Sequence, residues 1–303
     1  MPGDAYLDRL IDLALDEDLS AAGDVTTNAL VHPDLRGRGE LWAKEEMVLS
    51  GLAAFARVFQ RFDDTVSVEF EAVDGDATLQ LQRVARIDGS LRSLLICERT
   101  ALNIIQRTSG IATMSARAAE AVKGTALQIL DTRKTSPGMR ALSKLAVRDG
   151  GCTNHRFGLF DGVLIKDNHI AAVGGSVKEA LRRARANAPR LLKIEIEVSS
   201  INQLEDAIVE GSDIVMLDNF TDPQILEAVK KARGRVALEV SGGITLERLP
   251  ALAKMGVDFV SMGALTHSAR SMDLSLELIT QKRSRTQDRG QPARRRQRER
   301  LSR

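Results

Sequence analysis

The sequence predicts an α/β protein whose second part is a parallel sheet covered by helices. Beyond about residue 125, short β-rich apolar runs alternate with polar turns and with segments of helical periodicity. Strands that alternate with helices form parallel sheets, and unbroken apolar runs are typical of strands buried on both faces. Six such runs are present, too few to establish a closed eight-stranded barrel. We favour an incomplete α/β barrel, with an open doubly wound sheet as the alternative; the runs lie at 126–131, 162–167, 191–198, 213–218, 235–240 and 258–263.

Two helices between these runs can be placed from their periodicity. Residues 201–211 and 246–256 both carry apolar side chains at helical spacing. Gly211 and Gly256 stand just past the two helices, where the chain favours a left-handed residue.

The first part of the chain follows a different pattern. Residues 5–17 read as an amphipathic helix, and residues 37–51 and 66–89 alternate like half-exposed strands. Residues 90–124 then read as long helical material, and we place a domain boundary within them near residue 110. The predicted division is an N-terminal domain (1–110), a barrel domain (111–266), a segment returning to the N-terminal domain (267–280) and a basic tail (281–303).

The tail is strongly basic, with a net charge of +8, so the remainder of the chain is net negative. It holds ten Lys or Arg and two acids, with one Leu as its only large apolar residue, and we predict that it is disordered. Contact with nucleic acid or with a membrane surface is the functional alternative, but no aromatic residue or motif accompanies the charge, so we favour a solubilising tail.

Composition also bears on location. No stretch approaches the roughly 20 apolar residues of a membrane span, and the acidic N-terminus lacks the features of a signal peptide. The two cysteines, Cys97 and Cys152, are expected to be reduced thiols. These observations favour a cytoplasmic protein that binds neither a membrane nor nucleic acid.

Charged residues gather at the predicted carboxyl ends of the strands, where parallel α/β folds bind their ligands. Glu197 and Asp218 end neighbouring strands and suit Mg²⁺ or sugar hydroxyls. Glu195 lies on the same strand face as Glu197, and spacing does not separate the two. A second group at the strand ends is cationic and suits a small substrate with more than one carboxylate. Its members are Arg133, Lys134, His155, Arg156 and Lys166, with Arg140 and Lys144 on a following helix.

Glycine turns follow the last two strands. Gly242 and Gly243 separate a strand from a helix, and Gly263 with Ala264 repeats the arrangement. Backbone N–H groups in such turns bind phosphate. These residues alone indicate an enzyme that joins an anionic ring to a phosphorylated, Mg²⁺-bound sugar.

Several motifs resemble those of the type II quinolinate phosphoribosyltransferases. The resemblance covers about residues 5–280, and its motifs occur in the order found in that family. They are GDVTTNAL (23–30), ERTALNIIQRTSGIAT (98–113), DTRKT (131–135), GGCTNHRFGLFDGVLIKDNH (150–169), EIEVSS (195–200), IVMLDN (214–219), VSGGIT (240–245) and GALTHS (263–268).

The resemblance implies an N-terminal α/β open sandwich followed by an incomplete α/β barrel. It also implies a homodimer, possibly within a higher oligomer, whose shared active site receives Arg99 from the partner chain. Glu197 and Asp218 match the acidic pair for Mg²⁺ and ribose. Residues matching quinolinate contacts are Arg133, Lys134, His155, Arg156 and Lys166; those matching the phosphate loops are Ser241, Gly242, Gly243, Gly263 and Ala264.

The implied reaction transfers phosphoribosyl from phosphoribosyl pyrophosphate to quinolinate. Carbon dioxide and pyrophosphate leave, and nicotinate mononucleotide enters NAD biosynthesis. Lys134, Lys166, Glu197 and Asp218 are the implied catalytic residues. Two alternatives are a molybdenum-transport-associated relative with a different substrate and a non-catalytic phosphosugar-binding protein. The basic tail has no counterpart in the family and inherits no role.

Overall fold

The computed structural model describes residues 4–280. The helical and strand-like stretches predicted in the first part are present in the predicted order, and the structure adds two helices, at 25–30 and 52–62, that the sequence pattern did not predict. The predicted basic tail, residues 281–303, lies outside the described residues. The elements are α1 (Asp4–Leu19), α2 (Val25–Leu30), β1 (Arg36–Ala43), β2 (Met47–Val48), α3 (Leu52–Phe62), β3 (Ser67–Phe70), β4 (Ala77–Thr78), β5 (Gln82–Ser90) and α4 (Leu91–Ala121).

The second part alternates strand and helix as the apolar runs predict, and each of the six predicted runs contains a strand. Its elements are β6 (Gln128–Leu130), α5 (Arg140–Asp149), β7 (Val163–Ile165), α6 (Asp167–Ala172), α7 (Val177–Asn187), β8 (Ile194–Val198), α8 (Ile201–Val209), β9 (Ile214–Asp218), α9 (Asp222–Ala232), β10 (Ala237–Ser241), a 3-10 turn (Leu246–Arg248), α10 (Leu249–Met255), β11 (Phe259–Ser261), α11 (Ala264–His267) and β12 (Leu274–Thr280).

The N-terminal sheet is antiparallel, with strand order β12–β1–β5–β3. Helices α1, α3 and α4 pack together, and their apolar side chains share one core with those of the sheet. Phe55 and Phe59 of α3 lie in this core with their rings edge to face. The last strand, β12, therefore brings the end of the described chain back beside β1.

The second sheet is parallel, and its strand order distinguishes a barrel from a doubly wound sheet. The order is β6–β11–β10–β9–β8–β7, so the first strand pairs with the last. A doubly wound sheet instead reverses its strand order near the first strand. Leu130 forms one further parallel bridge, to Thr153. Within residues 4–280 no strand pairing joins β7 to β6, so the barrel is incomplete, as predicted.

Helix α4 contributes to both cores. Leu94 to Ile105 pack in the N-terminal core, and Ile111 to Ala118 pack in the core outside the parallel sheet. The helix is continuous through residue 110, near which the sequence places a domain boundary; that boundary stays a prediction. No helix among residues 4–280 is long and apolar enough to cross a membrane.

The left-handed residues predicted at two helix ends are present. Gly211 has φ 74° after α8, and Gly256 has φ 84° after α10. An L side chain disfavours this conformation, which is why glycine terminates helices there.

An ion pair ties the β1–β2 connection to the segment before β12. Arg270 donates to Glu45 through both terminal nitrogens, and the backbone N–H of Asp273 donates to the same carboxylate at 2.9 Å. The hydrogen bond from Arg270 is the largest cause that lowers the pKa of Glu45 to about 2 from its ordinary value of 4.5.

Replacing Glu45 by Gln is expected to lower the free energy of unfolding by about 1 kcal/mol at neutral pH. An acid with a lowered folded-state pKa stabilises the protein above its unfolded pKa, and this contribution is lost as pH falls. The difference between variant and wild type should therefore shrink between pH 4.5 and about 2, as measured by urea unfolding. Glu120→Gln, in the exposed pair with Lys123, is the matched control. Equal stability of Glu45→Gln and wild type at neutral pH would show that the pair does not stabilise the fold.

Candidate active site

The strand register sorts the side chains of the parallel sheet into two faces. Glu197 pairs with Met216 and Met216 with Glu239, so these three side chains share one face. The other face is apolar and packs against the helices; it carries Ile196, Val198, Val215, Leu217, Leu238 and Val240. The face turned away from the helices is the barrel interior, and it carries the polar residues of the sheet beside apolar ones such as Met216; the polar residues are Glu195, Glu197, Asp218, Glu239, Ser241 and Ser261.

The interior has a deep layer and a shallow layer. Glu195 and Glu239 are buried, whereas Glu197, Asp218 and Ser241, which lie nearer the carboxyl ends of their strands, are partly exposed. Asp218 pairs with Ser241 across β9 and β10. The structure therefore separates Glu195 from Glu197, which sequence spacing does not.

Lys166 and Glu197 meet at the mouth of the barrel. The Nζ of Lys166 donates to Glu197 at 3.0 Å; the lysine is about half exposed, and the glutamate is largely covered. The Nδ1 of His169 accepts from the backbone N–H of Lys166 at 3.0 Å and caps α6. This contact gives His169 a role in ordering the loop between β7 and α6.

The cationic group divides in the structure, because Lys144 points into the protein. Lys144 is only 4% exposed and forms an ion pair with Asp131, which is fully buried. Asp131 also accepts from the side chain of Asn154 at 2.7 Å and from the backbone N–H of His155 at 2.9 Å. The predicted placement of Lys144 among ligand-facing cations is therefore wrong; it stabilises the 154–155 segment instead.

Both ring nitrogens of His155 face protein groups. Its Nε2 lies 2.9 Å from Glu195 and 3.6 Å from Glu239, and its Nδ1 accepts from the backbone N–H of Arg156 at 2.7 Å. Burial lowers the pKa of His155, but the hydrogen bond to Glu195 and the charges of both acids outweigh it, so the net pKa is raised. Direct contact of His155 with a substrate stays a prediction.

Arg133 and Arg156 lie close together. Burial and the positive charge of Arg133 lower the pKa of Arg156, whose Nη1 donates to the carbonyl of Gly162 at 2.9 Å. Among residues 4–280 the buried Nε of Arg133 has no hydrogen-bond partner. A guanidinium group with an unpartnered donor, together with a second arginine on which its charge acts, favours an anion that bears more than one charge.

Lys134 lies beside the glycine turn that follows β11. The carbonyl of Lys134 accepts from Thr266 Oγ1 at 2.8 Å, and a Cβ on Gly263 would lie 3.0 Å from the Cδ of Lys134. The same Cβ would lie 3.0 Å from Nε2 of His267, an exposed residue that the sequence reasoning did not select. Gly263 thus leaves room for two potential cations at this turn.

The turn after β10 depends on Asn219. Gly242 has φ 98°, and a Cβ there would collide with the Asn219 side-chain oxygen. Asn219 adopts a left-handed φ of 56°, donates its backbone N–H to Ser241 at 3.1 Å and donates its side-chain amide to Asp218 at 2.9 Å. Sequence reasoning missed Asn219, although asparagine after a strand-end acid is typical of such a turn.

Arg99 is the one predicted site residue that lies apart. It is exposed on the N-terminal half of α4, and no described contact within residues 4–280 joins it to the other candidates. The sequence reasoning also missed Glu239 and Ser261; the two-residue spacing of Glu239 from Ser241 could have placed Glu239 on the interior face.

Fold and site together define an incomplete α/β barrel with charged residues and glycine turns at the carboxyl ends of its strands, where enzymes of this architecture have their active sites. Residues 24–109 match the family described as quinolinate phosphoribosyl transferase, N-terminal domain, and residues 111–277 match the corresponding C-terminal domain. The chain therefore belongs to the quinolinate phosphoribosyltransferase family.

Individual relatives agree with this assignment. The chain is 43% identical over 270 residues to the nicotinate-nucleotide pyrophosphorylase (carboxylating) of Mycobacterium leprae, covering 88% of this chain and 94% of that protein. The crystal structure of NadC from Streptococcus pyogenes matches with a TM-score of 0.87 and 43% identity, covering 92% of this chain and 98% of the other. The nicotinate-nucleotide pyrophosphorylase structure from Francisella tularensis matches with a TM-score of 0.86 and 38% identity, covering 92% and 98%.

Proposed function

We propose that this protein transfers the phosphoribosyl group of phosphoribosyl pyrophosphate to quinolinate, with release of pyrophosphate and carbon dioxide, to form nicotinate mononucleotide for NAD biosynthesis. The observation that carries the proposal is the buried Nε of Arg133, which has no hydrogen-bond partner among residues 4–280 and belongs to a guanidinium group whose positive charge also acts on Arg156. Neighbouring guanidinium groups fit a doubly charged aromatic acid, and partly exposed carboxylates fit a sugar with a bound cation.

In this assignment the quinolinate carboxylates bind Arg133, Arg156 and the lysines. Lys134 and Lys166 are exposed enough to reach a ligand. The Nε of Arg133 makes no hydrogen bond among residues 4–280 that a ligand would have to replace. Held in this way, the ring nitrogen faces the anomeric carbon of the sugar, so that catalysis consists largely of positioning. After ribosylation the ring is a cationic electron sink, and Lys134 or Lys166 lies near the carboxylate that leaves as carbon dioxide.

We assign the ribose and a Mg²⁺ ion to Glu197 and Asp218. Their donor set fits the ion, because Mg²⁺ prefers oxygen ligands and both carboxylates lie on the same interior face near the strand ends. The ion, when bound, would offset the charge of the pyrophosphate. The acids themselves would lie closer to the sugar than the cations do, since positive charge develops on the sugar as pyrophosphate leaves.

We assign the phosphate groups to Ser241, Gly242, Gly243, Gly263 and Ala264. Backbone N–H groups in glycine turns bind phosphate oxygens, and a Cβ at Gly242 would disturb the turn by displacing Asn219. Gly242→Ala is expected to raise KM for phosphoribosyl pyrophosphate at least tenfold, equivalent to about 1.4 kcal/mol of binding free energy.

The matched control is Gly234→Ala. Gly234 also has a positive φ, 72°, but a Cβ there meets no atom within 4 Å. Both variants carry the backbone strain of an alanine at positive φ, and only Gly242→Ala disturbs the proposed phosphate turn. Similar kinetics in the two variants would contradict the assignment of Gly242, and steady-state titration of phosphoribosyl pyrophosphate is the measurement.

We further propose a cytoplasmic homodimer in which Arg99 completes the site of the partner chain. The exposure of Arg99 on α4 and its separation from the other candidates support a role across an interface. Sedimentation of the full chain at micromolar concentration tests the dimer, and a monomer would remove the basis for the role of Arg99.

The assay that tests the function measures nicotinate mononucleotide and carbon dioxide formed from quinolinate and phosphoribosyl pyrophosphate. Nicotinate is the matched control substrate, because it keeps the ring and lacks one carboxylate. We expect turnover with quinolinate and little with nicotinate. Absence of quinolinate turnover would favour a relative with another substrate, and absence of any turnover with bound phosphoribosyl pyrophosphate would favour a phosphosugar-binding protein.

A further inference from the structure

Two carboxylates lie deeper in the barrel than the proposed substrate groups. Glu239 is completely buried, and the side chain of Glu195 is 6% exposed. Among residues 4–280 the Oε1 of Glu195 has no hydrogen-bond partner, and burial together with the neighbouring charge of Glu195 raises the pKa of Glu239 to about 8. Buried carboxylates without partners are destabilising, so their retention inside the barrel calls for a functional explanation.

His155 is the polar group that both acids face. Its Nε2 lies 2.9 Å from Glu195 and 3.6 Å from Glu239. Because Nδ1 accepts the backbone N–H of Arg156 at 2.7 Å, it carries a lone pair, and the ring proton is on Nε2, directed at the acids. The acids thus select both the orientation of the ring and its tautomer.

The orientation of this ring controls where Arg156 lies. The backbone N–H of His155 donates to Asp131, and its carbonyl accepts from Lys144. The ring of His155 accepts from the backbone N–H of Arg156, the next residue in the chain. The guanidinium of Arg156 is near Arg133, which repels it, and near Glu195, which attracts it. The deep acids therefore act on Arg156 through the His155 ring and through their charge.

We propose that Glu195 and Glu239 are positioning residues, which orient the His155 ring and thereby place Arg156 for binding of the aromatic dicarboxylate. This inference rests on the proposed function for its substrate. Neither acid lies at the strand ends where the proposed substrate groups gather. His155, Glu195 and Glu239 are also close enough together to enclose a cation, but the 2.9 Å separation of Nε2 from Glu195 is an ordinary hydrogen bond, which a bound cation would have to replace.

The first test compares two substitutions of Glu195. Glu195→Leu removes the acceptor for Nε2–H and is expected to raise KM for quinolinate at least tenfold, while KM for phosphoribosyl pyrophosphate stays within about twofold. Glu195→Gln keeps an acceptor and is expected to stay within about threefold of wild type for both substrates. Unchanged KM for quinolinate in Glu195→Leu, or equal damage by Gln, would overturn the proposal.

The second test asks whether Glu195 acts through His155. The double variant His155→Ala, Glu195→Leu should be no worse than His155→Ala alone, because coupled residues are not additive. Multiplication of the two single effects would show independent roles. Glu205→Gln, in an exposed outer pair with Lys231, is the matched control and should leave both KM values unchanged.

A spectroscopic measurement keeps this inference separate from the proposed function. The chain has four histidines, so 15N-labelled histidine spectra of the full chain can resolve the ring nitrogens of His155 by comparison with His155→Ala. At a pH above the raised pKa of His155 we expect an unprotonated Nδ1 and a protonated Nε2 in wild type. This signature should change in Glu239→Leu, a variant that also tests the proposal if Glu195→Leu does not fold. If wild type shows the opposite tautomer, the positioning role is overturned even when quinolinate is turned over. If wild type shows the expected tautomer but does not turn over quinolinate, only the proposed function is refuted.

Discussion

Lys144→Met is expected to lower the free energy of unfolding by about 3–5 kcal/mol, because removal of one partner of a buried ion pair leaves an uncompensated charge. Asp131 has no exposed surface, and Lys144 is its only cationic partner among the hydrogen bonds described for residues 4–280. Lys144 also donates to the carbonyl of His155 at 2.8 Å, so the substitution loosens the segment that carries Arg156. Urea unfolding followed by circular dichroism measures the loss.

The loss should depend on pH. Burial raises the pKa of Asp131, although Lys144 and Asn154 act in the opposite direction. An acid with a raised folded-state pKa makes the protein less stable as pH rises between its unfolded and folded values, and removal of Lys144 widens this range. The deficit of Lys144→Met should therefore be larger at about pH 8 than at about pH 5.

Two controls separate burial from charge. Adding Asp131→Asn to Lys144→Met removes the unpaired charge and should restore a large part of the stability. Lys178→Met breaks a pair of the same kind with Asp206, in which both side chains are 43% exposed, and should change stability by no more than about 1 kcal/mol. A loss in Lys144→Met as small as that in Lys178→Met would contradict the role of the buried pair.

The largest kinetic effect is expected for Arg133→Ala. It removes one of two neighbouring guanidinium groups that we assign to the quinolinate carboxylates, and kcat/KM for quinolinate should fall on the order of 100-fold, or about 2.7 kcal/mol. KM for phosphoribosyl pyrophosphate should change much less, because that substrate is assigned to the acids and the glycine turns. Initial rates with each substrate varied in turn measure the two effects.

The matched control for this variant is Arg235→Ala. Arg235 is exposed just before β10, at the opposite end of the strands from the site, and bonds only backbone carbonyls of α9 in the described part of the chain. Its kinetics should equal those of wild type. A full rate in Arg133→Ala, with folding verified by circular dichroism, would refute the assignment of Arg133.

Much of the fold follows from local patterns. The alternation of apolar runs with helical segments predicts each of the six parallel strands, and Gly211 and Gly256 end their helices as their residue type indicates. Strand-end positions also predict that Glu197, Lys166 and Asp218 lie near one rim, since the carboxyl ends of parallel strands share one edge of the sheet. These predictions succeed because helix and strand periods are read within a few residues of the chain.

Local patterns do not predict how deeply a side chain is buried or which residue it pairs with, because both depend on segments that are far apart in sequence. The pattern groups Lys144 with the other cations, and only the fold brings it to Asp131 and away from solvent. The sequence pattern also does not distinguish Glu195 from Glu197. In the folded barrel Glu195 is buried against His155, whereas Glu197 pairs with Lys166.

The sequence by itself thus determined the class of fold, the order of the elements and the set of charged residues at the strand ends. Only the tertiary structure decided that the first barrel strand pairs with the last, that Glu239 lies inside, and which charges are neutralised within the protein. The physical reason is that a charged residue exposed at a rim and one buried in a pair have the same local sequence signature. Desolvation and the partner that offsets it exist only once the chain is folded.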